Sequence, residues 1–161
     1  MDPMKGKNLP GSMEIHPIYL DLPCKAAGVI VRCQGKILMV DRRVGTLGRA
    51  CPAGHLDAGE SAAECASREL FEETGLLLHP KADLKLRLNK NVFGNHCGRG
   101  EQNHEWSVFE ANLGDEDFPR IELREPKKHC GIGWFLPSEL TNVELEVVWR
   151  LFLKKLLIIN K

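Results

Sequence analysis

Residues 54–76 read GHLDAGESAAECASRELFEETGL. Ser61 with Glu64 three positions on is a capping box, in which each side chain bonds a backbone N–H that a first helical turn leaves unpaired. Alanines and Leu70 supply helix propensity, and Gly75 stands where a left-handed cap ends a helix. The spacing predicts a helix over residues 62–74. On it Glu69, Glu72 and Glu73 fall at i, i+3 and i+4, so their carboxylates share a face, which reads as exposed, while Leu70 and Ala63 mark the stripe turned inward. Three clustered carboxylates repel one another. A hard divalent cation gives the arrangement a purpose, since Mg²⁺ takes oxygen ligands, keeps some waters and usually also holds a substrate phosphate. Arg68 can pair with one acid and fix its orientation. Gly54 brings bare backbone close, and Glu60 enters just before the cap.

These residues resemble the Nudix box: glycine, five residues, glutamate, seven residues, then Arg-Glu-aliphatic-any-Glu-Glu-any-Gly-aliphatic. Every defined position matches, from Gly54 and Glu60 to Arg68-Glu69-Leu70 and Glu72-Glu73, closing on Gly75-Leu76. Where many relatives read Pro-Gly-Gly ahead of the box, this chain reads Pro52-Ala53-Gly54. The second half is similar to the MutT branch, through Glu125-Pro126, Trp134-Phe135 and Pro137-Ser138-Glu139-Leu140.

Composition agrees with one enzyme-sized domain. A chain of 161 residues with 43% hydrophobic content can bury a proper core without staples. With 22 basic against 22 acidic residues, nothing favours bulk nucleic acid or a membrane surface as partner, though a single nucleotide suits. No apolar run reaches membrane-spanning length and no signal-peptide core opens the chain, so a cytoplasmic protein is expected. The six cysteines form no C-x-x-C pair. They read as reduced thiols rather than a disulfide framework or, with neighbouring histidines, a zinc site.

In chain order, residues 1–12 have no hydrophobic period, and Gly11-Ser12-Met13 looks like a cloning scar. Residues 13–161 are then the single domain, with 1–12 a leader left by cloning or without order. Runs 26–31 and 37–40 read as strands buried on both faces, joined by a hairpin turn at Gln34-Gly35. Residues 44–50 read as a glycine-bearing loop. Strands are expected at 76–78, 84–88, 106–111 and 132–136. Residues 89–103, rich in Gly, Asn and His, read as a mobile connection or a substrate lid. Thr141 with Glu144 predicts a second capping box and a helix through Ile159, its core stripe being Leu145, Val148, Trp149, Phe152, Leu156 and Ile159. Val147, Leu151 and Ile158 give that helix a second apolar face, either a dimer contact or a seat for the N-terminal segment; monomer and homodimer both stay open. Such an order of elements fits a mixed sheet between two helical layers. The resemblance implies the same α/β fold, a Nudix-type α/β/α sandwich with a mixed β-sheet and a loop-helix-loop catalytic motif.

What the resemblance implies for chemistry is hydrolysis of a phosphoanhydride. Water attacks phosphorus in line while divalent cations, Mg²⁺ with Mn²⁺ as substitute, neutralise charge on the phosphate oxygens. Glu69, Glu72 and Glu73, with the Gly54 carbonyl, are the expected metal ligands; Arg68 and Glu60 complete the catalytic set. The base is a box glutamate or a downstream acid, with Glu125, Glu101 and Glu105 the candidates. Arg42, Arg43 and Lys127 are candidates for phosphate. Trp106 and Phe93 could stack on a base, although a tryptophan in a strand is more often core. His55 and His104 read as structural or solvated. A nucleoside triphosphate cut to a monophosphate and pyrophosphate is the expected reaction. The proline and tyrosine markers of ADP-ribose and dinucleoside polyphosphate hydrolases fall on Val92, Phe93 and Gly94 instead. The alternatives are an ADP-ribose or nucleotide-sugar pyrophosphatase, a non-catalytic Nudix nucleotide-binding module, and an RNA-decapping enzyme, which the neutral charge disfavours.

Overall fold

Strand β1 (Cys24–Cys33) is the axis of the molecule, and its alternation decides both cores. Ala26 and Ile30 face one way with Ile37 and Met39; Ala27, Val29 and Val31 face the other with Leu38. The near-continuous apolar run is thus buried on both faces, as a central strand must be. A computed structural model describes residues 24–94 and 103–160. The expectations for 1–12, for the centre of the 89–103 segment and for Glu101 lie outside the described residues.

The hairpin at Gln34-Gly35 forms with both residues at positive φ, 49° and 73°, joining β1 to β2 (Lys36–Arg42). Beyond that turn the two strands separate. Only Arg32↔Ile37 and Cys33↔Lys36 pair directly. Short strands β3 (Gly48–Ala50) and β4 (Ala53–His55) fill the gap, β3 against β2 and β4 against β1. The expected loop over 44–50 therefore ends in a strand. Its three residues are too few to show a period of two.

On the far side of β1, β6 (Asn103–Asn112) runs parallel to it from Cys24↔His104 to Arg32↔Asn112. The edge strand β5 (Lys85–Phe93) pairs antiparallel with β6. Residues 89–93 belong to this strand and not to a loop. Asn89, Lys90 and Asn91 are tolerated because an edge strand exposes one face. Residues 76–78, expected as a strand, follow the helix without joining the sheet. Strand β7 (His129–Phe135) covers β2 from outside and begins three residues earlier than expected.

Helix α1 (Ala62–Thr74) has the limits its sequence predicts. Ser61 and Glu64 make both bonds of the capping box, and Gly75 closes the helix at φ 77°. Cys65, Ala66 and Leu70 pack against Ala27, Val29 and Leu38. Helix α2 (Val147–Lys155) covers the opposite face with Val148, Trp149, Phe152 and Leu153. The result is an α/β/α sandwich around a mixed sheet.

The start of α2 corrects the sequence reading. Residues 137–141 form a 3-10 turn, and Thr141 and Glu144 cap nothing. Instead Arg49 N–H donates to Glu144 O (2.8 Å) and Glu146 N–H to Arg49 O (3.0 Å), pinning residues 144–146 to β3. Leu145 is drawn into the core by this pairing, and tertiary hydrogen bonds displace a local cap. Glu146 takes the N-cap, its carboxylate accepting from Trp149 N–H at 3.3 Å. The helix stops at Lys155, ahead of Leu157 at φ 57°, while Ile159 still packs in the core. Val147 is exposed, and Leu151 and Ile158 lie half-buried against the same core.

Candidate active site

Where β1 and β2 part, a cavity of about 430 Å³ opens on the α2 face. Gly54, Glu69 and Glu73 line one wall; Arg42, Lys128 and His129 line another. The box helix delivers its acids here because Gly54, on β4, lets the strand pass against it. A Cβ at residue 54 would overlap the Glu69 carboxylate. This is the physical reason for glycine at the first box position.

Arg68 organises the box. Its guanidinium donates to both Glu60 oxygens (2.7 and 3.0 Å), to Glu69 Oε1 (2.9 Å), to Glu72 Oε2 (3.2 Å) and to the carbonyl of His55 (3.0 Å). It hydrogen-bonds three carboxylates and lies 3.5 Å from a fourth, Asp57, where sequence suggested a single one. The hydrogen bond from Arg68 holds Glu60 below the usual carboxylate range, and these acids in turn raise Arg68. Glu60 is thus tied to Arg68 by two hydrogen bonds, and it does not line the cavity.

The three box acids differ in environment. Glu72 is exposed. Burial pushes Glu69 up despite Arg68. Glu73 is 5% exposed, against the expectation of an open face. Burial drives its carboxyl well above the usual range, and the charges of Glu69 and Glu125 add to the effect. Its Oε2 has no hydrogen-bond partner among the described residues and lies 4.0 Å from His129 Nε2. Glu73, Glu125 and His129 bring one donor atom each to within 4.8 Å of one another.

Glu125 reaches this cluster through a turn, the N–H groups of Lys128 and His129 both donating to its carbonyl at 2.9 Å. Lys128 Nζ donates to Glu125 Oε1 at 2.9 Å, and that bond holds the lysine pKa up. Glu125 Oε2 is buried and without a partner among the described residues. Desolvation lowers His129. Hard oxygen donors, an unsatisfied buried carboxylate oxygen and acids lifted by burial and, less, by one another's charge fit a divalent cation such as Mg²⁺ or Mn²⁺.

Other expected residues divide. Arg42 lines the cavity; Arg43 instead donates to Pro126 O at 3.2 Å and braces the Glu125 turn. Lys127 does not line the cavity; its neighbour Lys128 does. Trp106 borders the cavity but is wedged edge-on against Trp149 and Phe152, with ring centroids 6.0 and 5.4 Å away. Phe93 stands 77% exposed on the edge strand, away from the cavity. Glu105 faces a separate, smaller pocket with Glu60 and Lys25. His55 and His104, read as structural or solvated, both line the main cavity. Lys128 and Glu146 went unmarked in sequence, since no spacing links them to the box, and His129 entered only among the histidines weighed for a zinc site.

The comparisons with known proteins join this geometry. Residues 22–154 match the NUDIX domain family. The chain is a member of the Nudix family. Phosphatase NudJ of Escherichia coli K12 is 37% identical over 67 residues, which is 40% of this chain and 42% of that relative, so the match spans less than half of NudJ. The crystal structure of a MutT NUDIX hydrolase from Burkholderia pseudomallei shares the Nudix fold with a TM-score of 0.67 at 24% identity, over 82% of this chain and 96% of that one. The NUDIX domain of Shewanella oneidensis NrtR, solved with ADP ribose, gives 0.67 at 13% identity, over 83% and 85%. A C. elegans Ap4A hydrolase gives 0.61 at 18%, over 84% and 93%. At these identities the likeness is one of Nudix fold.

Proposed function

We propose that this protein is a divalent-cation-dependent pyrophosphohydrolase that cuts a phosphoanhydride in a nucleoside diphosphate-linked substrate. A nucleoside triphosphate, released as monophosphate and pyrophosphate, is the favoured substrate. The observation carrying the proposal is the Glu73–Glu125–His129 cluster beside an intact box, with Glu73 and His129 buried in the wall of the cavity and Glu125 half-buried behind them.

Glu69, Glu72 and Glu73, with the Gly54 carbonyl, would hold Mg²⁺ or Mn²⁺. Once bound, the cation neutralises phosphate charge and lowers the pKa of water at the site. Arg68 keeps Glu69 and Glu72 in place, and Arg42 and Lys128 supply positive charge along the cavity wall. Glu125 is the favoured base among the acids. Lys128 fixes one of its oxygens and leaves Oε2 as a buried acceptor for the proton of the attacking water. The base of the nucleotide packs along the wall that includes Trp106. The balance of 22 basic and 22 acidic residues does not favour bulk nucleic acid, and the partner is the small nucleotide itself. Among the described residues no helix is long and apolar enough to cross a membrane.

Comparing kcat/KM for dGTP, dCTP, ADP-ribose and a nucleotide sugar on one preparation tests this. Triphosphates should lead by tenfold or more, about 1.4 kcal/mol in transition-state binding. A lead of that size for ADP-ribose or the sugar leaves the box chemistry and overturns the triphosphate assignment. No turnover of any of them supports a binding module.

A further inference from the structure

We propose that Cys24, His55 and His104 form a second metal site, of opposite donor character to the carboxylate box, that takes Zn²⁺. The strand register builds it. On β1, Cys24 stands opposite His104 of β6, and Ala26, two residues on and on the same face, stands opposite His55 of β4. Ala26 presents only a methyl group there, so the imidazoles of the two flanking strands meet above it. Their Nε2 atoms stand 3.3 Å apart with ring planes inclined at 37°. One donor atom from each of the three residues lies within 4.8 Å of the other two.

The geometry has a metal's dimensions. Tetrahedral Zn²⁺ with Zn–N bonds of about 2.0–2.1 Å places two ligating nitrogens about 3.3–3.4 Å apart. Two imidazoles sharing a single proton can also reach that distance; the observation that points to a metal is the third donor, the Cys24 sulfur, within 4.8 Å of both. A Cys-His-His set is soft to borderline and suits zinc, whereas Mg²⁺ prefers the oxygens of Glu69 and Glu73. Cys24 would ligate as thiolate and release its proton to solvent. His55 and His104 both border the cavity, so the fourth coordination position opens toward it. Zinc bound here ties β4, β1 and β6 together at the end of the sheet from which Gly54 reaches the box. His55 offers its ring to this site and its carbonyl to Arg68 (3.0 Å), which links the two sites through one residue.

The test is metal binding alone, without substrate. Protein stripped with chelator, then loaded with Zn²⁺ in millimolar Mg²⁺ and dialysed, should retain one equivalent of Zn²⁺, measured by elemental analysis. Co²⁺ in its place should give tetrahedral visible bands and a thiolate-to-cobalt charge-transfer band. Cys24→Ser should abolish the charge-transfer band, and Cys24→Ser and His55→Ala should each weaken Zn²⁺ binding tenfold or more. Cys130→Ser and Glu69→Gln should leave it unchanged. No retained zinc in the wild type, or the same affinity in both ligand variants, overturns the proposal. Either result leaves the carboxylate site untouched.

Discussion

Glu73 Oε2 and His129 Nε2 stand 4.0 Å apart, and both side chains are almost wholly removed from water. Burial pushes the acid up and the imidazole down, so each favours its neutral form. A carboxylate this costly to ionise is the one that the proposed cation would affect most.

Glu73→Gln should cut kcat at least about a hundredfold, since it removes a metal ligand, where even outer partners of a ligand cost 10–100-fold. It should also leave the metal-free melting temperature equal to or above wild type, because a neutral amide replaces an acid that is strained when charged. Glu72→Gln, on an exposed side chain, should lower kcat with stability unchanged within about 0.5 kcal/mol. Steady-state kinetics and thermal melts on the same samples check both; near-normal kcat at saturating Mg²⁺ would remove these acids from the metal site.

Stability should depend on pH in opposite senses with and without cation. In chelator, the raised values of Glu69 and Glu73 mean the folded state holds protons that the unfolded chain has lost above 4.5. Stability therefore falls as pH rises from about 4.5 through the folded values. His129, lowered from 6.5, opposes this: below that pH the unfolded state binds the extra proton, and stability rises with pH. Mg²⁺ binds the ionised carboxylates, so its stabilising increment should grow from about pH 5 to about pH 8. Calorimetry at several pH values reads the difference. An increment that shrinks with pH would contradict the assignment. Ca²⁺ should also stabilise the fold yet support little turnover, its looser coordination holding the reacting groups less well.

Arg68→Lys should lose both stability and rate. The fork that reaches Glu60, Glu69, Glu72 and the His55 carbonyl has no counterpart in an ammonium group. A loss of about 1.5–3 kcal/mol is expected, the scale of one charge-assisted hydrogen bond, with kcat down tenfold or more. Urea unfolding that places the variant level with wild type would deny Arg68 this organising role.

Gly54→Ala should raise the Mg²⁺ concentration needed for half-maximal activity by tenfold or more, because the added methyl must displace the Glu69 carboxylate. Titrating activity against Mg²⁺ measures it. An unchanged requirement would mean that Glu69 shifts without cost.

The box helix was legible to the residue because its signals are local: Ser61, Glu64 and Gly75 act within one turn of the ends they fix. The strands β1 and β2 were legible because burial on both faces leaves an unbroken apolar run. The start of α2 was not, since Glu144 and Leu145 answer to Arg49, almost a hundred positions away in the chain. The site was half legible. Glu69, Glu72 and Glu73 announce themselves by helical spacing, but the burial of Glu73 depends on the Glu125–His129 turn folding over it. Trp106 and Phe93 carry the same aromatic signal in sequence; packing by Trp149 takes one into the core and an edge strand leaves the other in water.

The parting of β1 and β2 after two register pairs leaves a slot in the middle of the sheet. One side is β1 on β6 and the other β2 on β7, and the slot is bridged by the hairpin, by β3 and β4, and by bonds such as Val29 N–H to Pro52 O at 3.0 Å. Both helices pack across it, α1 on Val29 and Leu38 and α2 on Ile30 and Met39. The slot is a window through the sheet: by way of it Glu69 and Glu73, carried on one face, line a cavity on the other, where the proposed nucleotide would lie.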